Sequence, residues 1–310
     1  MPTTSTPFDP PIAAAARSNP EFTTVANQVA KKACILFLGA GVHRPPPDGS
    51  GYTYPKELAP PTGGGLASML AAECAYETEL PGQDPCNLAR VTAFFDSKLG
   101  RPNLVASVQG AVSDNRKPSP AVRALAELDF PIIITTNYDN LFEDALVAAG
   151  KSKYTRCIYS SADTVVTKDI QLGNISAETP FVLKIHGDVT DPSSLVITED
   201  DYIQFVLRMG DKEQVNPIPS GVRFALKSWP TLFIGYSLTD YNLRLLFKTL
   251  RWKVDRADFP MSYAVDPFPD PFVRRVLAEG PARQLVFIAE DVWTFVPALY
   301  RKVRNAEMPQ

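Results

Sequence analysis

The sequence predicts a doubly wound α/β fold, with a mostly parallel sheet, helices on both faces and a small helical insertion. Short apolar runs, such as residues 34–38, 131–135 and 231–234, are typical of buried strands. Amphipathic stretches of helical length alternate with these runs along the chain, which is the order expected of a parallel sheet. A length of 310 residues suits one large domain or two modest ones, at about 150 residues per domain.

The first half of the chain predicts two strands separated by helices. A helix over 22–32 precedes the strand at 34–38, and the segment 43–65 contains six prolines, which exclude a helix or a central strand there. Amphipathic patterns then predict helices at 66–76, 88–99 and 120–128. We expect these helices to form an insertion at about 62–128, before the strand at 131–135 and a helix at 141–149.

The second half alternates more regularly. Apolar runs predict strands at 154–159, 181–185, 195–197, 231–234, 262–265 and 284–288. Thr198 and Asp201 resemble a capping box, so a helix should begin beside them. The spacing of Leu243, Leu246 and Leu250 predicts a further helix, and residues 291–304 predict a closing one. We therefore expect a flexible Pro/Ala-rich arm over 1–20 and one domain over 21–310.

Composition excludes several classes of protein. The net charge of −3 argues against a general nucleic-acid-binding protein, and we expect no direct nucleic-acid binding. No apolar run reaches the roughly 18 residues of a membrane span, and the first residues lack the basic start of a secretory signal. Four cysteines without a C-x-x-C pair exclude a cysteine zinc ribbon. We expect a cytoplasmic protein with reduced, buried thiols and no metal.

Polar and glycine residues follow five of the predicted strands. Ligands of open α/β sheets bind outside the carboxyl ends of the strands, so these residues should share one rim. The occurrence of such residues after five separate strands is more informative than any one of these turns alone. The candidate residues are Gly39, Ala40, Gly41, Asn137, Asp139, His186, Gly235, Ser237, Asp240 and Asp266.

Each candidate also has a plain structural interpretation. Gly39 and Gly41 permit a close approach of backbone to an anion, yet Arg44 stands where a third fingerprint glycine would be, so a simple turn stays possible. His186 can exchange a proton near neutral pH or be a structural histidine. Asn137 and Asp139 can orient a water or sugar hydroxyl, or cap a helix. The same alternative holds for Ser237, Asp240 and Asp266 as ribose ligands, and His43 either lines the site or is solvated.

Five ordered blocks resemble the sirtuin-like domain of bacterial NAD hydrolases that act in defence against bacteriophage. The resemblance covers roughly residues 30–300 and implies a Rossmann-like NAD-binding domain. It implies that Gly39, Ala40 and Gly41 cradle the pyrophosphate, that Asn137 and His186 are catalytic, and that Asp139 lies on the nicotinamide side. It places Gly235, Ser237 and Asp240 at the adenosine half and Asp266 near a ribose. The blocks are 37–42 (FLGAGV), 135–141 (TTNYDNL), 184–187 (KIHG), 194–202 (SLVITEDDY) and 232–244 (LFIGYSLTDYNLR).

The chain departs from deacetylase sirtuins where those enzymes shape their acetyl-lysine cleft. His43 and a proline run replace the serine and Pro-Asp-Phe-Arg element of that family, and the zinc module is missing. We therefore expect an NAD⁺ glycohydrolase, with a protein deacylase or a non-catalytic NAD or ADP-ribose sensor as alternatives. An unchecked cytoplasmic NAD⁺ hydrolase would be toxic, so we expect a latent enzyme. Since the sequence leaves little room for a sensor domain, we expect control by homo-oligomers or by a separate ATPase or Argonaute-like partner, with residues 43–65 as a lid or assembly contact.

Overall fold

The computed structural model describes residues 20–159, 175–209, 218–236, 260–279 and 285–310. Within these ranges seven strands form one sheet, in which every neighbouring pair is parallel. The strands are β1 (Ile35–Leu38), β2 (Ile132–Thr135), β3 (Thr155–Ile158), β4 (Phe181–Lys184), β5 (Thr231–Ile234), β6 (Ser262–Val265) and β7 (Leu285–Ile288). Their order across the sheet is β3-β4-β2-β1-β5-β6-β7, which confirms the doubly wound α/β class.

Helices cover both faces of the sheet. In β1, Leu36 and Leu38 pack into a core with the helices at 20–30, 120–127, 141–148 and 292–304. Ile35 and Phe37 pack on the opposite side against the helices at 199–209, 220–228 and 271–277. Burial on both sides explains why the strands are apolar throughout rather than alternating. No helix among the described residues is long and apolar enough to cross a membrane. The helices are α1 (Pro20–Ala30), α2 (Gly63–Glu73), α3 (Tyr76–Glu79), α4 (Leu88–Leu99), α5 (Arg101–Ser113), α6 (Pro120–Glu127), α7 (Leu141–Ala148), α8 (Glu199–Met209), α9 (Ser220–Ser228), α10 (Pro271–Leu277) and α11 (Val292–Arg304).

A helical subdomain lies between β1 and α6. Helices α2 to α5 enclose a core of their own, in which Leu70, Phe95 and Leu104 are fully buried. Helix α6 packs on α7 and α11 in the main core instead, although the sequence pattern grouped it with the insertion. The predicted domain bounds at 62, 128 and 21 stay predictions, and residues 1–19 of the expected arm lie outside the described residues.

The segment 195–197 is not a strand, so that prediction is wrong. Leu195 and Ile197 are buried in the core of the helical subdomain, while Val196 between them is buried in the sheet core. Burial on alternating sides explains why the segment has the apolar sequence of a strand, although it pairs with no strand of the sheet. The capping box beside it is confirmed, because Asp201 accepts a hydrogen bond from the backbone nitrogen of Thr198 at 2.9 Å and α8 begins at Glu199. The helix predicted around Leu243 to Leu250 lies outside the described residues.

Candidate active site

A cavity of about 770 Å³ lies at the carboxyl ends of the strands, where the strand order changes direction. The chain runs from β1 to β2 on one side of the sheet, and β5 pairs with β1 on the other side. Loops that follow β1, β2, β4 and β5 line the cavity, and helices α2 and α4 of the helical subdomain close its far wall. A topological switch point is where open α/β sheets bind ligands.

Three glycines let the loops after β1 and β5 touch. The backbone nitrogen of Gly41 donates to the carbonyl oxygen of Gly235 at 2.9 Å. A Cβ atom on Gly39 or Gly41 would lie 2.6 or 2.7 Å from that oxygen, and Gly235 itself has a φ of +77°. Ala40, Gly41 and Gly235 line the cavity, whereas Gly39 packs beside it. Gly41 and Gly235 therefore expose backbone without a side chain in the cavity wall.

Asn137 and Asp139 follow β2 and line the same cavity. The backbone nitrogen of Asn137 donates to Oγ1 of Thr135 at 3.0 Å, and Oγ1 of Thr135 donates to the carbonyl oxygen of Leu38, so the loop is tied to β1. Asp139 Oδ1 accepts from the backbone nitrogen of Leu141 at 3.0 Å, at the start of α7. Oδ1 of Asn137 has no hydrogen-bond partner among the described residues. Asp139 thus pairs with the first backbone nitrogen of α7, although Asn140 is the N-cap residue of that helix, whereas Oδ1 of Asn137 is a buried acceptor in a residue that lines the cavity.

His186 lies two residues beyond β4, lines the cavity and is 8 % exposed. The rings of Tyr202 and Phe205 pack edge-on against its imidazole at centroid distances of 5.2 and 5.3 Å. Burial lowers the pKa of His186 to about 3, so its ring is neutral at physiological pH. A neutral imidazole can accept a hydrogen bond from a water or a hydroxyl group.

A buried lysine supports the loop that carries Asn137. Lys184 is fully buried at the end of β4, and its Nζ lies 2.7 Å from Oδ2 of Asp188. The same ammonium group donates to the backbone carbonyl oxygens of Tyr138, at 3.3 Å, and Asp139, and to Oδ1 of Asn140 at 3.0 Å. The sequence analysis did not predict this role, although a lysine within the apolar run 181–185 indicates a buried charge that needs partners.

Asp266 does not join this group. Asp266 follows β6 and accepts from the backbone nitrogen of Phe268 at 2.9 Å, and it does not line the cavity. Ser237 and Asp240 lie outside the described residues. Their ribose roles stay predictions.

Several lining residues were not anticipated. Arg44, Tyr236 and, from the helical subdomain, Asp84 and Asn87 line the cavity. Cys86 lines it too and is exposed, so the expectation of buried thiols is wrong for that residue. The end of the proline-rich segment reaches the same wall, because residues 61–64 line the cavity. These residues come from loops and helix ends, where sequence patterns are least informative.

Comparison with known proteins agrees with the predicted resemblance. Residues 131–284 match the model of the SIR2-like domain family. A protein named NAD(+) hydrolase ThsA from Acinetobacter baumannii is 30% identical over 216 residues, which cover 70% of this chain and 39% of that protein. Its namesake from Enterococcus faecium is 33% identical over 227 residues, 72% of this chain and 41% of that protein. Defense-associated sirtuin 2 from Bacillus subtilis is 30% identical over 149 residues, 47% of this chain and 13% of that protein. The chain thus spans about two fifths of the ThsA relatives.

Proposed function

We propose that this chain, which contains a SIR2-like domain, hydrolyses NAD⁺ to nicotinamide and ADP-ribose. One observation carries the proposal: a single cavity at the switch point collects the glycine loops, Asn137 and His186. The names of the relatives, NAD(+) hydrolase among them, agree with this chemistry. The cavity is also large enough for a dinucleotide, since small-molecule pockets measure about 300–1,000 Å³.

The glycine loops suit the pyrophosphate of the dinucleotide. Gly41, which has no Cβ, and the small side chain of Ala40 permit close approach of a phosphate oxygen to this turn, although the backbone nitrogen of Gly41 already donates to Gly235. Arg44, exposed at the cavity wall, adds a positive charge beside these residues. Gly235, and Ser237 and Asp240 after it, are proposed to hold the adenosine half, with Asp266 at a ribose.

The bond to nicotinamide breaks through an oxocarbenium-like state, in which positive charge develops on the ribose. Nicotinamide leaves as a neutral ring from a cationic one, so no proton is needed at the leaving group. We assign Asn137 to orient the attacking water and a ribose hydroxyl. The neutral imidazole of His186 accepts the proton of that water or hydroxyl as the new bond forms. The buried carboxylate of Asp139 stabilises the developing positive charge.

Substitution of the two proposed catalytic residues tests the assignment. Asn137→Ala and His186→Ala should each lower NAD⁺ turnover at least about 100-fold, because each removes a group that acts on the transition state. Nicotinamide release is measured by chromatography, and unchanged melting temperatures show that the fold is kept. Asn103→Ala, at an exposed position on α5, is the matched control and should turn over NAD⁺ normally. Normal turnover by both site variants would refute the assignment.

The two alternatives differ in their products. An NAD⁺-dependent deacylase would release nicotinamide only when an acetylated peptide is added. A sensor would bind NAD⁺ or ADP-ribose tightly without nicotinamide release. The proposal expects release without any peptide, which one chromatogram with and without peptide decides.

A defence role and a control mechanism are part of the proposal. The name Defense-associated sirtuin 2 supports depletion of NAD⁺ in infected cells as the role of this chemistry. We propose that the enzyme is cytoplasmic and latent, and that self-assembly or a separate activator, such as an ATPase or Argonaute-like protein, switches it on. A fluorogenic NAD⁺ analogue at several protein concentrations tests self-assembly, because activity per molecule should rise steeply with concentration. Phage plaque counts with the unsubstituted protein and Asn137→Ala test the role.

A further inference from the structure

His43 lies in the short turn Ala40–His43 that follows β1, and it is 2 % exposed. Its Nε2 lies 3.4 Å from Nδ2 of Asn137 and 3.7 Å from Oδ2 of Asp139. We infer that His43 is a positioning residue for Asn137: its unprotonated Nε2 accepts a hydrogen bond from the Asn137 amide and keeps Oδ1 of that amide available to the ligand. The inference rests on the proposed function, and it replaces the expectation that His43 either lines the site or is solvated, because His43 is buried and does not line the cavity.

The chemistry of the two atoms decides which of them donates. The amide nitrogen of Asn137 only donates, so the contact is a hydrogen bond only if Nε2 carries no proton. The imidazole proton of His43 then sits on Nδ1, a buried atom that has no hydrogen-bond partner among the described residues. Burial lowers the pKa of His43, although the carboxylate of Asp139 opposes this, so the ring is neutral and has one nitrogen free to accept. A leucine or phenylalanine of similar size would offer no acceptor.

The other end of the same amide needs a donor that the protein does not supply. Asn137 is 9 % exposed, and its Oδ1 has no hydrogen-bond partner among the described residues. Buried polar atoms are rarely left unpaired, and the exceptions mark functional sites. Oδ1 is itself buried, so the inference requires that its donor, a bound water or ribose hydroxyl, reaches it from the cavity that Asn137 lines. Rotating the amide would direct Oδ1 to His43 and remove this acceptor from the ligand.

His43 itself does not line the cavity. Its loss should therefore change how Asn137 is oriented rather than how the dinucleotide is bound. This separates the inference from a role in binding, since misplacement of a catalytic group lowers kcat and leaves KM nearly unchanged.

A pair of variants tests the inference by kinetics. His43→Leu removes the acceptor and should lower kcat about 100-fold, with KM within about threefold of the original value. His43→Gln retains a carbonyl oxygen at about the reach of Nε2 and should recover at least about tenfold of that loss. Equal losses in both variants would identify His43 as a packing residue and overturn the inference. An unchanged kcat in His43→Leu would overturn it as well.

A second measurement needs neither turnover nor a variant at position 43. The chain has two histidines, so His186→Ala leaves His43 as the single imidazole in a ¹⁵N spectrum. We expect Nδ1 protonated and Nε2 unprotonated at neutral pH, whereas a proton on Nε2 would overturn the inference. If NAD⁺ is lost neither by the purified protein at any concentration nor in cells that express it during phage infection, the proposed function is refuted, and this spectrum still decides whether His43 can accept from the Asn137 amide.

Discussion

Replacement of Lys184 by methionine should destabilise the protein and disorder the loop that carries Asn137. The ammonium group of Lys184 is fully buried, and so is the carboxylate of Asp188, 2.7 Å away. Methionine fills a similar volume but carries no charge and donates no hydrogen bond. The substitution therefore leaves a buried carboxylate without its nearest cation and two loop carbonyl oxygens, of Tyr138 and Asp139, without their donor.

The contacts of Asp188 set the expected size of the effect. Removal of one partner of a buried ion pair costs about 3–5 kcal/mol. Asp188 keeps hydrogen bonds from the backbone nitrogen and hydroxyl of Thr190, at 2.8 and 2.7 Å, and a more distant Arg156 guanidinium at 3.4 Å. We therefore expect a loss near the lower limit, about 3 kcal/mol. At about 2 °C per kcal/mol, this is a fall of about 6 °C in melting temperature.

Calorimetry or urea unfolding of Lys184→Met measures this loss, and Lys56→Met, at an exposed position, is the matched control that should change little. Glu143 provides an internal check, because its Oε1 lies 3.5 Å from Nζ of Lys184. Adding Glu143→Gln to Lys184→Met removes a second stranded carboxylate, so the double variant should recover part of the stability. A melting temperature of Lys184→Met within 1 °C of the original value would refute the reasoning about the buried pair.

Three further predictions follow from single contacts. Gly235→Ala should lower the free energy of unfolding by about 1–3 kcal/mol or more and weaken NAD⁺ binding in calorimetry, because the new Cβ would lie 2.3 Å from the backbone nitrogen of Val42. The control is Gly82→Ala, whose backbone has a similar φ and whose Cβ would meet no atom within 4 Å. It should lose less stability and leave binding unchanged. Because the pKa of His186 is about 3, this residue should not become protonated as the pH falls from 8 to 5, and kcat/KM for NAD⁺ should not fall with a midpoint near pH 6.5. A fall in kcat/KM with that midpoint would contradict a neutral His186. Burial raises the pKa of the Glu143 carboxyl above 4.5, although Lys184 lies nearby. Ionising this buried carboxyl destabilises the folded protein, so the loss of stability is absent below pH 4.5 and grows as the pH rises through the raised pKa. Glu143→Gln should accordingly gain stability relative to the original protein from pH 4 to 8, and the opposite slope in urea unfolding would count against it.

The sheet was predictable because each strand is buried on both faces. Residues 34–38 and 231–234 consist almost entirely of apolar residues and end at glycine, and the structure places strands there with bounds that differ by at most one residue. Helix α5 was not predicted, although Leu104, Val108 and Ala111 recur at helical spacing and are buried. Pro102 and Gly110 obscured the pattern, yet proline is tolerated in the first turn of a helix.

Only those residues of the candidate site that follow the ends of strands could be predicted from the sequence. Asn137 and His186 come directly after apolar runs, so the topology of a parallel sheet brings them to one rim. The burial of His43 was not predictable, because it depends on how a long proline-rich segment returns over the sheet. The contribution of Asn87 and Cys86 likewise depends on how the helical subdomain packs, which is a matter of tertiary contacts rather than of spacing.

The segment 195–197, mistaken for a strand, explains how the two proposed catalytic loops keep a fixed relation. The backbone nitrogen of Val196 donates to the carbonyl oxygen of His186 at 3.0 Å, and its carbonyl oxygen accepts from the hydroxyl of Tyr138 at 2.9 Å. One residue therefore joins the loop after β4 to the loop after β2. The carbonyl oxygens on either side, of Leu195 and Ile197, accept from Arg101 and Thr92 of the helical subdomain, both at 2.8 Å. Because the same three residues bind both loops and the helices that close the cavity, a shift of the helical subdomain would displace Asn137 and His186 together.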